Sequence, residues 1–554
     1  MKWVLNFDKN NKLKYIFYNF LIVFGDVLMI FPAILMGKIV DKGLLGGNRD
    51  IIIPLAIITI IIVIFGTISA YIGVLLLDTW GFRLAKKLRI AMYKKLNILD
   101  SEFFNKNPLG EITTIFSDTY KIRHNMCFTI KTVIAATLRF LGALIYCFII
   151  SPKLTLIISI PLPILFYYSN KYLKESKKNY QDKREYLSKF NNFIQENIDS
   201  NRLVKNYGTE KEEIAKFKKK NRTLKNKNLK IRYKFINYII TTTALNEFIC
   251  ALLVFFGFLF VMNKEITIGE WLVFDSLLWF LKTPFENAST LMDNWQNFKV
   301  ALDKIKWILN QESSIKDGKL LINQEQLEIE FKNVSLKYDN DYILKDFNMH
   351  ILPGKTYALI GKIGSGKSTI ARLLLRLEDV TSGEILINGI NIKEYKLSSL
   401  REEFGYVTQT PFLFSDSIKN NINFGNLKLS EEEIIKYIKL AKADYIFKLK
   451  NGIEEVIGEG GVDLSGGEKQ RLSLARTLAT NPKLLILDDI TSALDFETEL
   501  EVTNNINNLN YDSTKIIIAQ KIISVKNADE IFVLENGKII EQGSHKTLLK
   551  NNKT

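Results

Sequence analysis

A chain of 554 residues exceeds what a single hydrophobic core organises, so at least two domains are expected. Its 75 basic and 59 acidic residues leave a formal charge of +16. The lysines crowd between the apolar stretches of the first half, which points to an anionic membrane surface and away from nucleic acid. Three cysteines, Cys127, Cys147 and Cys250, sit in apolar surroundings without metal-like spacing and imply no disulfide framework.

In chain order, residues 1–14 are short and amphipathic, closer to an interfacial helix than to a cleavable signal. Six apolar spans follow, at about 15–37, 51–78, 127–150, 154–172, 235–262 and 268–287. The first carries only Asp26 and the second is uncharged as far as Leu77; each can cross a hydrocarbon core of about 30 Å. Lys131 and Arg139 interrupt the third, and Pro161 and Pro163 predict a kink in the fourth. Glu247 is the one acid of the fifth, while Glu270, Asp275, Lys282 and Glu286 break up the sixth. An even number of spans puts both chain ends on one side. The basic stretches 79–125 and 171–234 mark that side as cytoplasmic, against the short turns 41–50, 151–153 and 263–267. Apolar residues at three and four spacing in 84–100 and 180–205 predict that the membrane helices run on into the cytoplasm. Asp26, Arg139, Glu247 and Asp275 lie within spans, where an unpaired charge is costly: they line a solute path, or pair to fix helix packing.

Residues 1–310 therefore read as a transmembrane domain, the polar, aperiodic 311–326 as a linker, and 327–554 as an α/β domain. Within the last, Gly361 to Thr369 reads GKIGSGKST and fits G-x-x-x-x-G-K-[ST] through Gly361, Gly366, Lys367 and Ser368. An apolar run at 357–360 enters the loop as a strand, and Ile370, Leu373, Leu374 and Leu377 leave it at helical spacing. Gly364 and Gly366 let the backbone approach a polyphosphate, with Ser365 and Thr369 in the same cradle. Lys367 is placed to pair with the outer phosphates and Ser368 to ligate Mg²⁺. Downstream, Leu464 to Arg471 reads LSGGEKQR and opens a helix running to about Ala479, exposing N–H groups at its start. The apolar run 483–487 ends in Asp488 and Asp489, as a buried central strand delivers carboxylates to a nucleotide at its C-terminal edge. The first acid is suited to Mg²⁺.

In this order and spacing these motifs closely resemble an ABC transporter half-subunit of the exporter type, over almost the whole chain. The resemblance implies a membrane α-helical bundle, six transmembrane helices with long cytoplasmic extensions, followed by an α/β P-loop ATPase domain. It places the chain in the bacterial cytoplasmic membrane, with both termini and the ATPase domain cytoplasmic. It makes Ser465, Gly466, Gly467 and Glu468 part of the signature and Gln409, in YVTQTPFLF, the Q-loop residue that also reaches Mg²⁺. Ser492 to Asp495 becomes the D-loop, and Tyr338 the aromatic that stacks on adenine. Residues 102–118 and 196–210 look like the two cytoplasmic coupling regions, although Ser200 stands where the family often has Gly. The family also implies a dimer in which the P-loop of one chain and the signature of the other enclose each ATP.

Two positions depart from that pattern. Asp489 stands where the family usually carries a Glu as general base. One methylene less withdraws the carboxylate by about 1 Å, and misplacement of that size can cost roughly a hundredfold in rate. Gln520 stands where the family normally has a His; an amide can donate a hydrogen bond to a γ-phosphate but cannot titrate near neutral pH. The combination resembles the degenerate-site subunit of heterodimeric multidrug-type exporters. A second ABC half-transporter with its own Glu and His is the expected partner, in preference to a homodimer. The expected function is ATP-driven export of a drug, lipid or peptide, with weak hydrolysis at this chain's own site. The competing readings are a slow homodimeric exporter and a membrane-bound regulatory subunit that binds ATP and gates a partner.

Overall fold

The computed structural model describes residues 1–338, 341–425, 428–458, 461–490, 494–509, 512–519 and 522–551, and divides into two compact units. Met1–Asn97 and Leu109–Gln311 form one; Ile98–Pro108 and Glu312–Thr554 form the other. A partition at residue 310 leaves 98–108 in the first domain, whereas the structure gives them to the second. Leu99 and Phe103 are buried, and Asp100 ties the segment to the linker.

The first unit is helical. Lys9–Leu45, Arg49–Leu96, Leu109–Ile150, Pro152–Asp199 and Glu210–Met262 are long and apolar enough to cross a membrane. The sixth expected span is not among them. It lies in Ile268–Asn310, a continuous helix with Pro284 inside, whose Glu270, Asp275 and Lys282 keep its apolar stretch too charged. Ile52–Leu96, Pro161–Asp199 and Glu210–Met262 all outrun their apolar stretches, as the three-and-four spacing predicts. The fourth span breaks at Ile160, between Pro152–Ser159 and a new helix that starts on Pro161, where proline's missing N–H costs nothing. Ser200 sits at the next break with φ −91°, an ordinary conformation that does not need glycine.

Lipid offers no hydrophobic drive between helices, so close contact relies on small residues. At Gly25 a Cβ would stand 2.4 Å from the Gly66 carbonyl oxygen, so Lys12–Leu28 and Ile52–Leu96 meet backbone to backbone. Intramembrane charge is paired: Asp26 with Arg139 at 4.0 Å and Glu247 with Lys282 at 3.9 Å, while Asp275 is exposed. Pairing thus describes three of the four charges for which a path or a packing role was open.

The second unit is built on two sheets. β1 (Ile329–Tyr338), β2 (Asp341–Ile351), β4 (Ser382–Ile387) and β5 (Ile390–Asn391) form an antiparallel sheet in the order β2-β1-β4-β5. β3 (Thr356–Gly361), β6 (Phe404–Val407), β7 (Leu484–Asp488), β8 (Thr514–Ile518), β9 (Glu530–Glu535) and β10 (Lys538–Gly543) form the other, ordered β10-β9-β3-β8-β7-β6. All its pairings are parallel except β9 with β10. Every residue of β7 and β8 is buried, which is why 484–487 and 516–518 are apolar without alternation. Successive residues still serve opposite faces: Ile486 packs with Ile370 and Leu374, whereas Leu485 and Leu487 pack with Leu472 and Ala475. The helices after the phosphate loop and after the signature therefore cover opposite sides of one sheet. Because β3 and β7 both run parallel to β8, Gly361 and Asp488 emerge at the same edge.

Candidate nucleotide site

The loop leaving β3 turns into the helix Lys367–Leu374. Gly366 has φ +99°, and a Cβ there would lie 2.9 Å from Leu344, so neither conformation nor space admits a side chain. The helix stops before Leu377, short of the expected spacing, where Arg376 takes φ +46°. The Lys367 ammonium is buried and donates to the Gly361 and Lys362 carbonyls, both at 2.8 Å. Burial pushes its pKa down, against the opposing pull of Asp488 and Asp489.

β7 delivers the two acids. Asp488 accepts the Tyr406 hydroxyl at 3.1 Å. Asp489 takes φ +51°, a left-handed conformation that Asp tolerates better than most side chains. Its N–H donates to Ile518 at 2.8 Å, and its Oδ2 accepts from Gln409 Nε2 at 3.2 Å. Gln409 is held from behind, because Gln470 in the signature helix donates to its carbonyl at 3.3 Å. Tyr338 ends β1 half-exposed, with its hydroxyl donating to Glu378; burial and that carboxylate push the phenol up to about 12.

An open cleft of about 790 Å³ brings Gly364, Gly366, Lys367, Ser368 and Thr369 together with Tyr338, Gln409, Asp488 and Asp489. Gly361 and Ser365 lie beneath, bonded to Lys367. The Ser368 hydroxyl, the Gln409 amide and the Asp488 carboxylate face one space and offer the oxygens a hard divalent cation prefers. Ser465, Gly466, Gly467 and Glu468 do not line this cleft. They open the helix Gly466–Leu478 through a capping box, in which Glu468 N–H donates to Ser465 Oγ at 3.4 Å and Ser465 N–H to the Glu468 carboxylate at 2.8 Å. Asp495 caps the helix Phe496–Asn507. Gln520, Ser492 and Ala493 lie outside the described residues.

Sequence reasoning passed over Tyr406, Arg372, Glu378 and Gln470. Two of these carried a signal: Tyr406 stands three residues before Gln409, and Arg372 follows Thr369 by three, on the same helix face. Glu378 carried none, because it reaches the site through a turn.

Residues 15–285 match the family described as ABC transporter transmembrane region, and residues 344–492 the family described as ABC transporter. The ATP-dependent lipid A-core flippase of Syntrophus aciditrophicus is 31% identical over 93% of this chain and 87% of its own length. Its namesake in Haemophilus influenzae (strain 86-028NP) is 31% identical over 94% and 89%. The ABC transporter ATP-binding protein YknU of Bacillus subtilis is 30% identical over 95% and 90%. A solved bacterial Atm1-family ABC exporter with ATP bound matches with a TM-score of 0.84 over 98% of this chain and 97% of that one; at 24% identity this shows the fold. Phosphate loop, paired acids, signature and apolar helices thus stand in one polypeptide, and the chain belongs to the ABC transporters as an exporter half-transporter, a multi-pass inner-membrane protein whose cytoplasmic ATPase domain couples ATP hydrolysis to export.

Proposed function

We propose that this chain pairs with a different half-transporter to export a lipid-like solute, and that its own ATP site holds nucleotide while hydrolysing it weakly. In this reading Tyr338 stacks on the base, and the loop from Gly361 to Thr369 cradles the phosphates. Ser368, Gln409 and Asp488 hold Mg²⁺, which screens phosphate charge. Ser465 to Glu468 close over the partner's ATP. The name carried by the flippase relatives favours a lipid among the drugs, lipids and peptides open to the family.

One observation carries the asymmetry. The carboxylate placed to orient water belongs to Asp489, a side chain one methylene short, whose Oδ2 already accepts from the Gln409 amide. Gln520 adds an amide where the family has imidazole. That Asp489 lines the same cleft as Lys367 favours a second reading, a homodimer with a slow base.

ATPase rates of the purified chain, alone and with its candidate partner, test the proposal. The lone chain should turn over slowly, the pair at least tenfold faster, and Asp489→Glu should raise the rate at this site by roughly tenfold or more. Fast turnover by the lone chain, unchanged by Asp489→Glu, would overturn it. Uptake of a fluorescent phospholipid into inverted vesicles reads the solute class.

A further inference from the structure

The cleft has a phosphate end and an aromatic end, and a short line of side chains joins them. Arg372 Nη2 donates to Thr369 Oγ1 at 3.2 Å, in the first turn of the helix that follows the phosphate loop. Arg372 Nε lies 3.7 Å from Glu378 Oε1, and the other oxygen of that carboxylate accepts the Tyr338 hydroxyl. Thr369 stands next to the parallel sheet, whereas Tyr338 ends a strand of the antiparallel one, so the line bridges two layers.

Glu378 is the anchored member: its side chain is 10% exposed against 37% for Arg372, and Tyr338 is 41% exposed. A ring that open, on two rotatable bonds, samples several rotamers unless its tip is held. Ordering it at the moment of binding would cost affinity.

We propose that Glu378 is a positioning residue for the nucleotide base: braced by Arg372, it fixes the Tyr338 ring at the distance from the phosphate loop that a purine triphosphate spans. Glu378 acts only through Tyr338. It contributes to binding the base and not to gripping phosphate or cleaving it. The inference rests on the cleft being the ATP site.

Displacement of trinitrophenyl-ATP from the full-length chain tests it, with ATP in one arm and inorganic tripolyphosphate, which has no base, in the other. Glu378→Gln and Glu378→Ala should each weaken ATP by roughly threefold to tenfold and leave tripolyphosphate unchanged. The KM for ATP should rise by the same factor at constant kcat. On a Tyr338→Phe background, Glu378→Ala should add no further loss, because the hydroxyl it held is gone. If Glu378→Ala does not fold, the isosteric Glu378→Gln completes the cycle. Equal losses for ATP and tripolyphosphate, full additivity with Tyr338→Phe, or no loss would each overturn the proposal. A native chain that releases the fluorescent nucleotide to neither competitor would instead refute the assignment of the cleft.

Discussion

At Asp488 the fold uses a half-buried tyrosine to aim one carboxylate. Tyr406 contributes no ligand itself, yet it fixes the acid most suited to a divalent cation. Outer-shell partners of this kind typically affect metal affinity by 10-fold to 100-fold. Tyr406→Phe should therefore raise the Mg²⁺ concentration needed for half-maximal ATPase activity by roughly tenfold, with little change in thermal stability. An Mg²⁺ titration of the variant checks it, and an unaltered midpoint would mean that Asp488 is oriented by its backbone alone. Residues at this scale were largely legible, because the P-loop and the LLILDD run state their geometry in residue type and spacing. Glu378 and Gln470 were not, since a contact across separate segments leaves no local pattern.

Helices in lipid are held by shape. The contact of Lys12–Leu28 with Ile52–Leu96 depends on Gly25 and Gly66 lacking side chains. Gly25→Leu should lower the thermal aggregation midpoint in detergent by several degrees, the result of about 1–3 kcal/mol of overpacking. Gly110→Ala is the control, because nothing lies within 4 Å of a Cβ there, and it should match the native midpoint. Length and apolar runs made five of the spans readable. The helix Ile268–Asn310 was harder to read, because its charges serve packing: Lys282 answers Glu247 and lies 2.6 Å from Cys250 Sγ. Composition cannot separate such a helix from a soluble one.

At the scale of the whole chain, the linker is fastened through Asp100. One of its oxygens accepts from Phe103 N–H at 3.1 Å and so caps the helix Ser101–Lys106. The other accepts the N–H and hydroxyl of Ser314, each at 2.7 Å. Burial pushes this carboxyl up, but the bonds from Ser314, Phe103 and Ser313 outweigh it and hold the pKa below the usual carboxylate range. The tie is thus fully present at neutral pH and is lost only as pH falls through that depressed value, below about 4. Asp100→Ala should free the linker and speed tryptic cutting at Lys316 and Lys319 roughly fivefold, the equivalent of about 1 kcal/mol. Unchanged cutting would show that the linker's other bonds, among them Arg376 to the Lys316 carbonyl and Leu397 N–H to the Asp317 carboxylate, both at 2.7 Å, hold it without Asp100. The sequence marked 311–326 only by polarity, and a polar stretch reads as slack until its partners are known.

Ser465 to Glu468 do not line the cleft of their own chain, so in a family that closes each ATP between two chains each centre is completed from the facing one. A substitution at Asp489 is then felt beyond its own chain, because every closed site would draw on residues of both.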